Sequence, residues 1–180
     1  MGEKTEKLVM TAMMMCLIIV ATLFFKIPIP FANGYVHLGD AMVFLSVLML
    51  GARHGALASS VGSALGDVFG GFAIWAPWTF VIKGVMALVM GLFISALAKK
   101  PAAHKAFGVS AAQTAGMCLA GLWMTAGYYV AEGLIYGNWV VALVGIPWNI
   151  GQFAAGTALA VALAAALYKT PVKRYFAYRL

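Results

Sequence analysis

Charged residues are scarce in this chain of 180 residues, and their scarcity decides the class of protein. Asp, Glu, Lys and Arg together make up 9% of the sequence, whereas hydrophobic residues make up 64%. Soluble domains carry about 25% charged and about 45–50% apolar residues, so too little polar surface remains to cover a water-soluble globule. A disordered chain is excluded by the same hydrophobicity. The composition predicts an integral membrane protein with room for roughly six crossings of about 20 residues each.

Cysteine and the common catalytic motifs are also lacking. The two cysteines, Cys16 and Cys118, lie in apolar stretches without the spacing of metal ligands. Both are therefore predicted to be core residues, and neither a disulfide framework nor a zinc site is indicated. No phosphate-binding loop, H-E-x-x-H, G-x-S-x-G or C-x-x-C motif is present. His37 near Asp40 is poor support for a metal, and no cofactor is predicted. Four functional classes remain: a channel, a gradient-driven carrier, an intramembrane enzyme and the binding subunit of a larger machine. The enzyme is the least favoured of these.

Apolar runs of helical length predict one all-α domain over residues 1–180, a compact bundle of six transmembrane helices. The predicted helices cover about residues 8–25, 39–52, 55–72, 79–98, 110–135 and 146–168. The second and third are separated by a tight turn at Arg53 and His54. Between the first two, Pro28 and Pro30 exclude a regular helix and predict an ordered loop.

Basic residues give this bundle a direction. The net charge of +7 would favour nucleic acid on a soluble protein, but here the basic residues lie mostly between apolar runs. Those on one side of the six-helix arrangement are Lys4, Lys7, Arg53, Lys99, Lys100, Lys105, Lys169, Lys173, Arg174 and Arg179. Only Lys26 lies in an opposite loop. By the positive-inside rule, both termini are predicted to be cytoplasmic. The predicted partner of these basic residues is the lipid bilayer, and no nucleic acid is expected.

Four ionisable residues lie inside or at the edge of the apolar runs, namely Asp40, Asp67, Lys83 and Glu132. Each would cost about 2.5–3.5 kcal/mol at the bilayer centre, so each must face protein or water. All four map to the outer half of the membrane, which predicts a polar cavity that opens outward. A buried ion-pair network, for example Asp67 with Lys83, is the alternative. The two interpretations stay balanced for Asp40 and Asp67, whereas Lys83 and Glu132 favour a ligand role.

The last predicted helix adds polar and aromatic groups to the same half. Trp148, Asn149 and Gln152 lie near its outer end, and Tyr128 lies one turn from Glu132. Amides supply donors and acceptors, and a tryptophan offers a flat surface to a ring. The pattern predicts a pocket for a small polar aromatic ligand, although amides also join helices and tryptophans also mark membrane interfaces. The predicted binding residues are Lys83, Glu132, Asn149, Gln152, Tyr128, Trp148, Trp78, Asn33, His37 and Asp67.

Several segments resemble one family, the substrate-binding S components of energy-coupling factor (ECF) vitamin transporters. They are Gly34-Tyr-Val-His-Leu-Gly-Asp40, Gly55-Ala-Leu-Ala-Ser-Ser-Val-Gly-Ser-Ala-Leu-Gly-Asp67, Ala76-Pro-Trp-Thr-Phe-Val-Ile-Lys-Gly84, Gly127-Tyr-Tyr-Val-Ala-Glu132 and Ile146-Pro-Trp-Asn-Ile-Gly-Gln152. The resemblance spans nearly the whole chain. It implies a non-enzymatic subunit of the prokaryotic cell membrane that binds a vitamin at its outer face, with the loop from Lys26 to Asn33 as a lid.

The resemblance also implies partners. In this family, the S component topples within the bilayer onto a membrane coupling subunit that two cytoplasmic ATPases drive. A pair of small residues four positions apart on the first helix forms the docking face, and Ala12 and Cys16 stand at the matching positions. Ordinary helix packing within the subunit is the alternative role for this pair.

The substrate implied by the resemblance is a vitamin with a heteroaromatic ring. The chain resembles the pyridoxine and hydroxymethylpyrimidine subgroup, and vitamin B6 is narrowly favoured. The predicted binding residues suit a hydroxylated heteroaromatic ring, with Glu132 pairing to a protonated ring nitrogen or amine and Lys83 to a phenolate or hydroxyl. Riboflavin, thiamine and pantothenate are alternatives. A stand-alone secondary carrier, with protons coupled through Asp67 or Glu132, is the competing class.

Overall fold

The computed structural model describes residues 2–28, 35–97, 105–106 and 109–178, and these residues are predominantly helical, as predicted. The helices are α1 (Glu3–Phe24), α2 (Gly39–Phe69), α3 (Ala76–Leu97), α4 (Ala111–Tyr136), the single turn α5 (Trp139–Ala142) and α6 (Gly145–Tyr168), followed by a 3-10 turn at Pro171–Tyr175. Two short antiparallel hairpins pair β1 (Lys26–Pro28) with β2 (Tyr35–His37) and β3 (Lys105–Ala106) with β4 (Val109–Ser110). The predicted loop after the first helix therefore contains a strand pair.

The helix α2 is a hairpin of two antiparallel arms, residues 39–50 and 52–69. The Ser46 and Ser59 hydroxyls lie 3.3 Å apart, although 13 residues of straight helix would separate them by about 20 Å. The reversal falls at Gly51, whose φ of 79° and ψ of 179° are essentially restricted to glycine. The predicted turn at Arg53 and His54 is therefore wrong, because both residues already belong to the second arm. The sequence pattern could not show which glycine takes this conformation.

The first arm of α2 is the centre of the core. Its side chains Val43, Phe44, Val47 and Leu48 are fully buried, which explains how a helix too short to cross a bilayer is accommodated. Around it, α2 packs against α1, α3 and α6, while α4 packs against α3 and α6. Four helical segments in the described part of the chain are long and apolar enough to cross a membrane, namely α1, α2, α3 and the segment from Trp139 to Tyr168.

The C-terminal segment is tied to the end of the bundle at which α2 reverses. The backbone N–H of Ala177 donates to the carbonyl oxygens of Leu48 (3.1 Å) and Met49 (2.9 Å). The Tyr178 hydroxyl donates to the Gly91 carbonyl at 2.9 Å. The tail therefore joins the ends of the first arm of α2 and of α3. The opposite end, where β2 meets α2, α3, α4 and α6, holds Asp40, Asp67, Lys83 and Glu132.

Replacing Gly51 with alanine is expected to destabilise the protein by about 1–3 kcal/mol, because the side chain is strained in this backbone conformation. Thermal unfolding in detergent measures the effect. Gly151→Ala is the matched control, since Gly151 lies within α6 with open space around its Cα and alanine favours a helix. Equal melting temperatures for the two variants would contradict the assigned turn.

Candidate functional site

A cavity opens at the end of the bundle that holds the ionisable residues. Its volume is about 40 Å³, or about 420 Å³ when all gaps between its walls and its open mouth are counted. Its walls are formed by Tyr35, His37, Asp67, Trp75, Thr79, Tyr128, Glu132, Asn149 and Gln152. Among the predicted binding residues, the structure brings His37, Asp67, Tyr128, Glu132, Asn149 and Gln152 together here. Polar residues from four helices and one strand thus meet in one hollow.

Lys83 does not line this cavity. It is fully buried, and its ammonium group forms an ion pair with the equally buried carboxylate of Asp40. The same ammonium lies 2.9 Å from the sulfur of Met124 and 5.5 Å from the centre of the Tyr128 ring. A buried charge pair needs such additional contacts, because two ions leave water at a cost of several kcal/mol each. The structure therefore gives Lys83 the role of a packing ion pair, but with Asp40 instead of Asp67.

Gln152 connects this ion pair to the strand that borders the cavity. Its side-chain N–H donates to the second oxygen of Asp40 at 2.9 Å. Its carbonyl oxygen accepts the backbone N–H of His37 at 2.9 Å. The amide of Gln152 is consequently hydrogen-bonded on both sides, to α2 and to β2. It positions His37 and Asp40 relative to α6.

The His37 ring is buried and accepts a hydrogen bond within its own segment. The backbone N–H of Gly39 donates to His37 Nδ1 at 3.0 Å. Burial, followed by the nearby positive charge of Lys83, lowers the pKa of His37 to about 4. The imidazole is therefore neutral at physiological pH.

Tyr35 fixes one of the two acidic residues of the cavity. Its hydroxyl donates to Asp67 Oδ1 at 2.7 Å, and burial, together with the Asp67 carboxylate, raises the pKa of Tyr35. The phenol therefore stays protonated and remains a donor. On the facing wall, the hydroxyls of Thr79 and Tyr128 lie 3.0 Å apart. These four polar side chains hold one another in place.

Three polar groups of the cavity retain hydrogen-bonding capacity. Asp67 Oδ2 and Glu132 Oε2 are buried without a partner in the described residues. Asn149 is 6% exposed, and no hydrogen bond of its amide is found within the ranges the structure describes. A buried polar atom without a partner costs about 1–3 kcal/mol, and more when it is charged. A ligand that donates hydrogen bonds would recover this free energy.

Gly145 creates the space that the Glu132 carboxylate occupies. A Cβ atom at position 145 would overlap both carboxylate oxygens of Glu132. The start of α6 therefore approaches the end of α4 closely, and Glu132 is held against backbone instead of solvent. A side chain at this position would push the carboxylate out of its present place.

The predictions for two tryptophans differ from the structure. Trp78 is half-buried and does not line the cavity, whereas Trp75 does, beside Tyr128 and Tyr136. Trp148 lines a neighbouring, more apolar cavity on the flank of α6, which shares His37 and Gln152 with the first cavity. The other walls of this second cavity include Phe25, Ile27, Val36, Leu38 and Pro147. A tryptophan at a helix end marks the interface region without showing which face it occupies. The predicted binding residue Asn33 lies outside the described residues.

Sequence reasoning also missed Tyr35, Trp75 and Thr79. Trp75, Thr79 and Lys83 are spaced four residues apart along α3 and the turn before it, so they lie on one helix face. Following this face from Lys83 towards the start of the helix would have identified Thr79 and Trp75. Tyr35 and His37 lie two residues apart in the same strand, so their side chains share one face. This segment was predicted as a loop, and a loop has no such alternation from which Tyr35 could be inferred.

The proposed docking pair lies on the outside of α1. Ala12 and Cys16 are both exposed, on the face opposite to the buried Thr11, Met14 and Ile18. The prediction that both cysteines are core residues is wrong, since Cys16 and Cys118 are exposed. In a membrane protein an apolar stretch does not distinguish core from lipid-facing positions, because both surroundings are apolar.

Two solved structures share the architecture. One is the S component of a bacterial ECF transporter, with a TM-score of 0.69 and 20% identity, covering 93% of this chain and 98% of that one. The other is the S component for biotin from an ECF-type ABC transporter, with a TM-score of 0.72 and 17% identity, covering 98% and 99%. The fold is therefore that of the S components of ECF transporters.

The sequence assigns the family. The family model of the ECF-type riboflavin transporter S component matches residues 2–169. The chain therefore belongs to this family of membrane transport components, as its motifs predicted.

Two relatives add detail. The thiamine precursor transporter HmpT of Lactococcus lactis subsp. cremoris (strain MG1363) is 26% identical over 176 residues, which cover 97% of this chain and 95% of that protein. A protein of Pyrococcus woesei that is encoded in the 3′ region of the gap gene is 43% identical over 74 residues. These residues cover 41% of this chain and 49% of that protein.

Removing one partner of the Lys83–Asp40 pair is expected to be far more damaging than removing both charges. Asp40→Asn leaves a buried ammonium unpaired and should destabilise the protein by about 3–5 kcal/mol. The double variant Asp40→Asn with Lys83→Met should recover most of this loss. Thermal unfolding of the two single variants and the double variant measures the coupling. Additive effects of the two substitutions would contradict a structural ion pair.

Proposed function

We propose that this chain is the substrate-binding subunit of an ATP-driven importer and that its substrate is hydroxymethylpyrimidine, the precursor of thiamine. The observation that carries the proposal is the set of unpaired polar atoms on one cavity, Asp67 Oδ2 and Glu132 Oε2 together with the Asn149 amide. An aminopyrimidine offers the complementary groups, since its exocyclic amine donates to a carboxylate and its ring nitrogens accept from an amide. The rings of Trp75 and Tyr128 supply a surface on which such a ring can stack.

The position of Lys83 supports this choice over vitamin B6. The sequence predicts that Lys83 pairs with a phenolate or hydroxyl of the ligand, and pyridoxine carries such a phenolic group on its ring. Because Lys83 is fully buried and neutralised by Asp40, no free cation faces the cavity from this position. The similarity to a thiamine precursor transporter over nearly the full length of both chains favours the same ligand.

The membrane arrangement is part of the proposal. The reversal at Gly51 divides α2, so that α1, the two arms of α2, α3, α4 and α6 provide six crossings with both termini cytoplasmic. The exposed basic residues Arg53, Lys173 and Arg174 support this orientation, because they lie at the end of the bundle away from the cavity.

The proposed lid is the loop from Lys26 to Asn33, of which the structure describes β1; this strand pairs with β2, whose Tyr35 and His37 line the cavity. Lys26 holds the hairpin near the bundle, with its ammonium 5.5 Å from the centre of the Tyr35 ring and 5.6 Å from that of Phe72. Delivery then follows by toppling onto a membrane coupling subunit that two cytoplasmic ATPases drive. The exposed Ala12 and Cys16 on α1 form the docking face, because small residues let another helix approach closely.

Glu132→Gln is expected to weaken binding of hydroxymethylpyrimidine by about tenfold or more, because a hydrogen bond to a charged group contributes about 1.5–3 kcal/mol. Isothermal titration calorimetry on the purified chain measures the change. Glu3→Gln is the matched control and should bind like the wild type, since the Glu3 carboxylate is exposed at the start of α1, away from the cavity. Unchanged affinity of Glu132→Gln would remove Glu132 from the site, and binding of pyridoxine in preference to hydroxymethylpyrimidine would overturn the substrate.

Ala12→Trp is expected to leave hydroxymethylpyrimidine binding intact but to abolish uptake, because the large ring blocks the approach of the coupling subunit. Uptake is measured in cells that express the chain with an ECF module. Leu122→Trp serves as control, since Leu122 is exposed on α4 and should retain uptake. Normal uptake by Ala12→Trp would defeat the docking face, and uptake without ATPases that an uncoupler stops would favour the secondary carrier.

A further inference from the structure

We infer that His37 carries its ring proton on Nε2 and presents this N–H to the ligand as a fixed hydrogen-bond donor. The inference rests on the proposed function and deepens it, because it identifies the edge of the ligand that the site recognises. It also gives a specific chemical role to a residue that the sequence predicts as a binding residue without saying what it binds.

The position of the proton follows from the partner of the other ring nitrogen. The backbone N–H of Gly39 lies 3.0 Å from His37 Nδ1, and an amide N–H can only donate. Nδ1 must therefore be the unprotonated acceptor. A neutral imidazole carries one proton, so the proton is on Nε2.

Several contacts keep the ring in this state. Its backbone N–H is held by Gln152, and its strand pairs with β1 at Lys26. A Cβ atom at Gly39 would overlap the His37 ring, so the start of α2 lies directly against it. Protonation of Nδ1 would break the hydrogen bond from Gly39 and add a positive charge near Lys83, which burial and charge both oppose.

Apart from Lys83 and the cross-strand Lys26, the ionisable groups that the structure describes around the ring are acidic or phenolic. They are Asp40 on the first arm of α2, Asp67 on the second, Tyr35 on β2, and Tyr128 and Glu132 on α4. Asp40 is already paired with Lys83, and Tyr35 already donates to Asp67. The cavity therefore offers acceptors at Asp67 and Glu132 and a neutral donor at His37.

This arrangement selects a particular kind of ring edge. A ligand must place an acceptor atom toward His37 Nε2–H and hydrogen-bond donors toward the carboxylates. An aminopyrimidine satisfies both demands, since an unprotonated ring nitrogen stands next to its exocyclic amine. The deaminated analogue, whose ring nitrogen carries hydrogen, would oppose donor to donor and would leave the carboxylates unpaired.

Two substitutions separate the two nitrogens of the ring. The amide oxygen of His37→Asn can replace Nδ1 as acceptor for Gly39 but offers no donor at the position of Nε2. The longer His37→Gln can place an N–H near Nε2 but loses the acceptor for Gly39. We expect His37→Asn to keep the melting temperature and to lose about tenfold in affinity for hydroxymethylpyrimidine. His37→Gln should bind within a few-fold of the wild type and melt at a lower temperature.

Binding of hydroxymethylpyrimidine by calorimetry and thermal unfolding in detergent provide the two readouts. Wild-type affinity of His37→Asn, with an unchanged melting temperature, would overturn the donor role. The deaminated analogue is the ligand control, and equal affinity of the wild type for both rings would overturn the proposed edge recognition.

Nitrogen NMR of the ligand-free protein tests the tautomer independently of any ligand. The chain has three histidines, so His54→Gln with His104→Gln leaves His37 as the only ring observed. We expect the Nε2–H tautomer, and the Nδ1–H tautomer would overturn the inference. If the wild type does not bind hydroxymethylpyrimidine, the proposed substrate and the ligand part of the inference both fail, whereas the NMR result still decides where the proton lies.

Discussion

The buried ion pair between Lys83 and Asp40 is the interaction on which the site depends. Asp40 lies in the first turn of α2, where the helix dipole also favours a negative charge. Lys83 on α3 and Gln152 on α6 both contact this carboxylate, and Met124 on α4 completes the surroundings of the ammonium. One carboxylate thereby sets the relative positions of four helices. Gln152 extends this order to the backbone of His37, and so to the strand beside the cavity.

The cavity consequently contains two kinds of polar group. Tyr35, Thr79, Tyr128 and Gln152 already have partners within the protein and determine its shape. Asp67, Glu132 and Asn149 retain free hydrogen-bonding capacity and are available for recognition. This division suits a family in which one architecture serves different ligands, since the S component for biotin has the same fold at 17% identity. On the proposed function, ligand choice depends on these few uncompensated groups and leaves the framework unchanged.

Much of this arrangement could be predicted from the sequence, because charges are expensive in a membrane. That cost led to Asp67 and Glu132, and helical spacing added Tyr128, Asn149 and Gln152. The same argument did not predict Asp40 as the partner of Lys83, because a sequence does not show which carboxylate will neutralise a buried lysine. Tyr35 was missed because a three-residue strand beside prolines has too little pattern to recognise. The reversal in α2 was placed two residues late, because several small residues there could have adopted a turn.

The attachment of the C-terminal segment has a consequence for how the subunit can move. Ala177 and Tyr178 fasten the ends of two core helices near the reversal of α2 to the segment that follows the last helix, so those ends cannot separate without breaking these hydrogen bonds. On the proposed function, a reorientation in the bilayer would carry these helices together. On the proposed function, release of cargo then falls to the opposite rim, where single hydrogen bonds to the side chains of Gln152 and Asp67 hold the short strand β2.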